Sequence, residues 1–367
     1  MRGEREEVKG MKKGLYLWAG LLGLVLILQL IPVNNLLFAK KIVPLVWQCC
    51  YLIIAATSLN LVVGCLGQLS LGHCGFMAIG AYTSALLSLW AQRAGVFSHK
   101  ESVAYIVVVL ISIVAGGLLA GLVGLAVGIP ALRLKGDYLA IITLGFGMIV
   151  VNLINNLPFA GMDGLSLGSA ASGLYKTGLG FSNRLLVKYL WIALLGTTGA
   201  MTLMFKFMKS RFGRNVRAIR DDEIGAAACG INVPAYKVGT FALSACLGGV
   251  AGGIYACFMS ALTTGSFAFT NNGILNSTFL VAMCVLGGLG SLSGSAVAAA
   301  IMCLLNYLIS QTGLNSLPGW IGLAFSYPML IYAVVLVVII IFMPGGLTGG
   351  REISLKAVIG KFGARLK

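Results

Sequence analysis

The sequence predicts an all-α integral membrane protein with about ten transmembrane helices, and three observations lead to this fold class. Of the 367 residues, 59% are hydrophobic and only 10% are charged, whereas a soluble domain carries roughly 25% charged residues. The apolar residues come in runs of about twenty, the length of a membrane-spanning helix, without the alternation that marks a barrel strand. Fifty glycines against eight prolines favour closely packed helices.

The apolar runs give ten candidate spans, and the basic residues give their direction. In order, the spans are 14–32, 42–64, 70–91, 103–128, 138–157, 189–208, 238–258, 274–289, 293–311 and 326–343. Lys and Arg gather on the cytoplasmic side of membrane proteins. With the N-terminus inside, 19 of the 26 Lys and Arg residues are cytoplasmic and seven are in outer loops. The sequence therefore predicts cytoplasmic N- and C-termini, and the net charge of +16 needs no nucleic-acid partner.

The whole chain, residues 1–367, is predicted to form one membrane domain that contains a charged cytoplasmic loop at 209–237. Glycines and hydrogen-bonding side chains interrupt the apolar sequence at 64–76 and 266–273, and the second interruption precedes a span that meets the glycines of 287–290. Such interrupted, re-entrant segments in both halves of a chain point to a pathway at the bilayer midplane. Because the second and seventh spans run in opposite directions, spans two to five and seven to ten are compatible with an inverted repeat.

No acidic or basic residue lies deep inside the predicted spans. Ion-coupled carriers usually keep carboxylates inside the membrane, so their absence from the predicted spans argues against a self-powered symporter. Hydrogen bonding between helices is the competing interpretation for each polar residue taken singly. The candidates for a translocation pathway are Asn60, Ser70, Thr143, Asn276 and Ser277.

The sequence contains no recognisable motif for ATP binding, metal binding or catalysis. The chain has no G-x-x-x-x-G-K-[ST] phosphate loop, so we do not expect it to hydrolyse ATP itself. Its nine cysteines include no Cys-x-x-Cys pair and no His-rich neighbourhood, so no metal site is predicted. Paired carboxylates and a Ser/His/Asp set are also missing, which argues against a membrane-embedded enzyme. We therefore expect no catalytic residue and no cofactor of the chain's own.

The charged loop at 209–237 carries the most information about function. Asp221, Asp222 and Glu223 open a short predicted helix, because acidic side chains are favoured at a helix N-terminus. Gly230 stands where that helix would end. A short capped helix on the inner surface is typical of a docking element for another protein, and an ordinary solvated loop is the alternative. The residues predicted to couple the chain to a partner are Arg214, Arg217, Asp221, Asp222, Glu223, Ala227 and Gly230.

This loop and four further stretches resemble the permeases of branched-chain amino-acid ABC transporters. In the loop, Glu223 and Gly230 match the coupling helix of that family, whereas Gly225 and Cys229 depart from it. The motif LRLKGDYLAIITLGFG at 132–147 is similar to the M-type permease rather than to its H-type partner. The other similar stretches are 58–73, 161–165 and 285–291. Together they extend over most of the chain.

The resemblance implies a type II-like ABC importer in the cytoplasmic membrane of a bacterium or archaeon. In such an importer an M-type and an H-type permease form the pore within the lipid, two cytoplasmic ATPase subunits use ATP, and an extracytoplasmic binding protein delivers branched-chain amino acids. Transport proceeds by alternating access. Import of urea or short amides stays open, because urea permeases share these motifs. A stand-alone channel or secondary carrier is more remote, since it leaves the capped helix unexplained.

Overall fold

The computed structural model describes residues 42–96, 103–132, 138–156, 165–166, 188–259, 261–268, 275–311, 328–343 and 345–349. Within these ranges the chain is a bundle of apolar α-helices with one short strand pair. The predicted first span at 14–32, both chain termini and residues 133–137 of the M-type motif lie outside the described residues.

The elements follow one another as helices with short connections. The helices are α1 (Val43–Asn60), α2 (His73–Arg93), α3 (Val103–Ala131), α4 (Tyr138–Asn155), α5 (Leu190–Lys209), α6 (Arg211–Asp221), α7 (Glu223–Ala228), α8 (Val233–Phe258), α9 (Ser277–Gly287), α10 (Leu292–Gln311) and α11 (Pro328–Phe342). Strands β1 (Leu165–Ser166) and β2 (Ala261–Leu262) pair antiparallel, with Leu165 opposite Leu262. A π-helical turn, Leu61–Cys65, continues α1, and a 3₁₀ turn, Thr264–Phe267, follows β2.

The described residues contain seven helices that are long and apolar enough to cross a membrane, so the predicted number of about ten is not confirmed. The predicted span at 274–289 is replaced by α9, which has only 11 residues. At 1.5 Å per residue α9 is about 16 Å long, roughly half of the hydrocarbon core. The side chain of Asn276 caps its start and Gly288, with φ of 104°, ends it. Helix α9 is therefore a half-helix, in keeping with the predicted broken helices.

Helix α8 begins five residues before the predicted span at 238–258. The side chain of Asn232 caps it by accepting a hydrogen bond from the backbone N–H of Ala235, and a proline occupies the first turn, where it is tolerated. This earlier start places Lys237 inside the helix, where the side chain is largely buried, rather than in the charged loop.

Three helices at the centre of the bundle, α2, α3 and α8, approach one another through glycines. A Cβ added to Gly80 would lie 2.1 Å from the carbonyl oxygen of Gly249, and one added to Gly252 would lie 2.0 Å from that of Met77. A Cβ on Gly116 of α3 would lie 2.6 Å from the Gly80 carbonyl oxygen. Small residues allow this close backbone contact, which stabilises helix association in lipid.

The connections gather at two ends of the bundle. At one end, the backbone N–H of Leu347 donates to the carbonyl of Leu286 at 2.9 Å, close to the residues that link α9 to α10. At the other end, β1 pairs with β2, and the hydroxyl of Thr264 donates to the side-chain oxygen of Asn155. This distribution matches the predicted alternation of the spans, whichever end faces the cytoplasm.

Candidate functional site

Two interruptions of helical structure meet at one end of the bundle. We define the first break as residues 61–72, the π-helical turn and the irregular backbone before α2, and the second break as residues 288–291, between α9 and α10. Gly67, Gly288 and Gly290 have φ of 76°, 104° and 87°, a region that glycine adopts without steric cost. Glycine is therefore what lets the chain turn so sharply in both breaks.

Asn60, at the end of α1, clamps the two breaks together. Its side chain is fully buried; its Nδ2 donates to the carbonyl of Ser291 at 2.9 Å and to the Ser295 hydroxyl at 3.0 Å, and its Oδ1 accepts from the Gly290 N–H at 3.1 Å. A Cβ on Gly64 would lie 2.2 Å from the Gly290 nitrogen, so the two backbones are in direct contact. Asn60 therefore holds the two breaks against each other.

The other predicted pathway residues also surround the first break, and all of them are buried. The Thr143 hydroxyl accepts a hydrogen bond from the N–H of Leu71 at 3.1 Å, and the Ser277 hydroxyl accepts one from the second residue of α2 at 3.2 Å. Asn276 caps α9, and Ser70 lies within the break itself. The five residues are spread along the break rather than gathered in one cluster, and their part in a pathway stays a prediction.

The charged loop begins with an amphipathic helix, α6. The hydroxyl of Ser210 caps it by accepting the Gly213 N–H at 3.2 Å, and Gly213, Val216 and Ile219 are buried at three-residue spacing. Asp221 is the last residue of α6. The prediction that Asp221 opens the next helix is therefore wrong, because the chain stays helical through Asp221 and turns only at the extended Asp222.

The predicted docking helix is present as α7, a single short helix between two capping residues. The Asp222 carboxylate accepts hydrogen bonds from the backbone N–H groups of Ile224 and Gly225 at 2.9 and 3.0 Å. Gly230, with φ of 82°, follows the helix as its C′ residue. These caps satisfy backbone groups that a six-residue helix would otherwise leave to water. All seven predicted coupling residues are exposed.

The arginines of α6 lie on its exposed side, yet three of the four bind a carbonyl of their own chain. Arg214 and Arg217 donate to carbonyls in the last turn of α5 at 3.0 and 2.8 Å. Arg220, which lies outside the set predicted from the sequence, donates to the Gly64 carbonyl in the first break at 2.7 Å. Fewer of their N–H groups are therefore available to a partner than their charge alone suggests.

One exposed apolar residue on α7 was missed by the sequence prediction. Ile224 is 83% exposed, whereas Ala226 on the opposite side of α7 is buried against Leu66 of the first break and Val216 of α6. The sequence could have identified this residue, because isoleucine is the only large apolar residue in the stretch DDEIGAAA. The carboxylate of Glu223 is occupied differently: it pairs with the Lys237 ammonium of α8 at 2.8 Å.

Comparison with known proteins shows which permeases the chain is similar to. The family model described as branched-chain amino acid transport system / permease component matches residues 42–343. The high-affinity branched-chain amino acid transport system permease protein LivM of Escherichia coli is 32% identical over 325 residues, 83% of this chain and 69% of that protein. The probable LivM of Methanocaldococcus jannaschii is 24% identical over 340 residues, 84% and 93% of the two chains.

Sugar permeases match less of the chain. The galactose/methyl galactoside import permease MglC of Haemophilus influenzae is 26% identical over 226 residues, 58% of this chain and 61% of that protein. No solved structure matches the chain.

Proposed function

This chain belongs to the family of branched-chain amino acid transport permease components, and from that premise we propose that it is the M-type subunit of an ATP-driven importer of branched-chain amino acids. Two bacterial permeases named LivM match it at 31–32% identity over 83–84% of its length, and the archaeal LivM matches at 24% over 84%. Sugar permeases match at 26–27% over 49–67%. This difference supports amino acids as the cargo.

The observation that carries the proposal is the exposed helix α7. It has a fixed start at Asp222, a fixed end at Gly230 and an apolar side chain, Ile224, on its outer surface. A rigid helix with one protruding apolar anchor suits a groove in another protein. Because the sequence has no phosphate loop, we assign the groove to a separate ATPase subunit that hydrolyses the ATP. In this proposal the chain itself binds no cofactor and catalyses no reaction.

The charge distribution supports the placement of the chain in the membrane. Seven of the 26 Lys and Arg residues lie between Lys206 and Lys237, on the end of the bundle that carries α6 and α7. Positive residues favour the cytoplasmic side. We therefore place α7, the two breaks and both termini on the inner side of a bacterial or archaeal cytoplasmic membrane, with a substrate-binding protein delivering cargo to the outer side.

We assign the H-type permease to the exposed face of α4. Every exposed described residue of α3 is apolar, as expected of a surface against lipid. The exposed face of α4 differs, because it includes the exposed Asn152 and, in its middle, the half-buried Gly145. No atom would lie within 4 Å of a Cβ added to Gly145. Small and hydrogen-bonding residues on a spanning helix favour another helix over lipid.

Filling the open space beside Gly145 with a larger side chain is expected to weaken association with the second permease. In Gly145→Leu the added side chain overpacks the interface, which typically costs 1–3 kcal/mol, or about tenfold in affinity. The measurement is the amount of H-type permease that co-purifies with a tagged chain. Leu118→Phe, on the lipid-facing side of α3, is the matched control and should recover the wild-type amount. Equal recovery with Gly145→Leu would rule out the α4 interface.

Uptake of radiolabelled leucine by cells with and without the gene tests the cargo. We expect gene-dependent uptake that excess unlabelled isoleucine or valine suppresses and excess urea leaves unchanged, because the relatives at 31–32% identity are named as branched-chain amino acid permeases. Gene-dependent uptake of labelled urea in place of leucine would shift the assignment to the amide importers. Uptake that persists without the ATPase subunits would reject an ATP-driven importer.

A further inference from the structure

We propose that Arg220 transmits the movement of helix α7 to the two breaks, so that displacement of α7 by the ATPase opens the inner end of the transport path. The proposal rests on the function proposed above and adds a positioning residue to it. Four observations carry it: the bond from Arg220 to the first break, its contact with the second break, the rigid link from Arg220 to α7, and the clamp at Asn60.

Arg220 touches both breaks at once. Its guanidinium donates to the carbonyl of Gly64 at 2.7 Å. A Cβ on Gly290 would lie 2.9 Å from Nη1 of Arg220, and a Cβ on Gly67 would lie 3.1 Å from its Cγ. The side chain therefore fills the space where the backbones of the two breaks meet, and glycine at these positions leaves it room. A charged donor to a backbone carbonyl forms a stronger hydrogen bond than a neutral donor.

Arg220 is coupled tightly to the docking helix. Only Asp221 and Asp222 separate it from the start of α7. Helices α6 and α7 also share a small apolar cluster, in which Val216 and Ala226 pack against Leu66 of the first break. A displacement of α7 therefore moves α6 with it, and both Leu66 and the Arg220 hydrogen bond carry that displacement into the break.

Contacts outside α6 also hold the two breaks together, among them a hydrogen bond from the Cys65 thiol to the Gly290 carbonyl. Asn60 supplies three hydrogen bonds to the segment from Gly290 to Ser295, and the backbones touch at Gly64 and Gly290. Arg220 binds the carbonyl of Gly64, the residue at that contact. A displacement of Arg220 therefore acts at the point where the two breaks meet. The contact between the breaks and the position of the docking helix thus depend on each other.

The test compares transport with ATP hydrolysis in the complete complex, isolated through a tag on this chain and reconstituted into liposomes. The quantity measured is labelled leucine imported per ATP hydrolysed. In Arg220→Ala we expect the ATPase subunits to remain bound and ATP to be hydrolysed, while the ratio falls about tenfold, the effect of losing one charge-assisted hydrogen bond in the coupled motion. Arg220→Lys keeps a charged donor and should recover most of the ratio.

Arg211→Ala is the matched control, because it removes the same charge from the same helix nine positions earlier, about 13 Å along the helix axis. It should keep the wild-type ratio of leucine imported per ATP hydrolysed.

An unchanged ratio in Arg220→Ala, or an equal fall in Arg211→Ala, would overturn the proposal. Loss of the ATPase subunits from Arg220→Ala alone would also overturn it, because the residue would then act in docking. If Arg220→Ala fails to accumulate, Arg220→Gln, which removes the charge and keeps a long polar side chain, should show the same fall in the ratio. An unchanged ratio in Arg220→Gln would then overturn the proposal. A wild-type chain that binds no ATPase subunit would instead reject the proposed function.

Discussion

Replacing Gly64 by alanine is expected to prevent accumulation of the folded protein. The new Cβ would lie 2.0 Å from Oδ1 of Asn60 and 2.2 Å from the backbone nitrogen of Gly290. Neither neighbour can move freely, because Asn60 is fully buried with three hydrogen bonds and Gly290 is main chain. Overpacking and broken buried hydrogen bonds together cost roughly 4 kcal/mol, a large share of the 5–15 kcal/mol that usually stabilises a protein.

Size-exclusion chromatography and thermal unfolding of the detergent-purified chain measure this effect. Gly199→Ala is the matched control, because nothing lies within 4 Å of a Cβ at that position in α5. It should unfold at the wild-type temperature or slightly above, since alanine favours a helix over glycine by about 1 kcal/mol. A monodisperse Gly64→Ala protein with the wild-type unfolding temperature would show that the two breaks are not in contact.

Replacing Ile224 by glutamate is expected to abolish association with the ATPase subunits while leaving the permease folded. At 83% exposure the side chain contributes little to the fold. In a groove of the partner, however, an isoleucine contributes about 1.5–3 kcal/mol, and a buried unpaired carboxylate costs several kcal/mol more. The two effects together predict at least a 100-fold loss of affinity.

Co-purification of the ATPase subunits with the tagged chain measures that affinity. Val96→Glu introduces the same charge at an exposed apolar residue three positions beyond the C-terminal end of α2, and it should leave co-purification unchanged. Glu223→Gln should have a smaller effect than Ile224→Glu, because the Glu223 carboxylate is already paired with Lys237. Normal recovery of the ATPase subunits with Ile224→Glu would exclude α7 as the docking helix.

The sequence predicted the local features of the site well. The caps of α7 depend on Asp222 and Gly230, which act within a few residues of the helix that they bound. The long helices depend on apolar runs of sufficient length. The half-helix α9 was predicted as a full span because its apolar residues continue past the cap at Asn276 and the turn at Gly288, and hydropathy does not register either.

The contacts that join the site together could not be predicted in the same way. Arg220 and Gly64 are 156 residues apart, and Asn60 and Gly290 are 230 apart. No periodicity or local spacing in one sequence pairs such residues, since each pair depends on how the whole bundle packs. Asn60 was identified as a polar residue within a span, but its partner could be found only in three dimensions.

The glycine contacts among α2, α3 and α8 limit which parts of the protein can move during transport. At Gly80 and Gly252 the main chains are so close that sliding one helix past another would drive backbone atoms together. We therefore expect these three helices to move together as one frame, and alternating access to be carried mainly by elements outside it, among them α9 and α10. The chain passes from α1 into the frame through the first break. We therefore expect this segment to be the pivot about which the moving part turns, in addition to joining the two breaks, with its glycines serving both purposes.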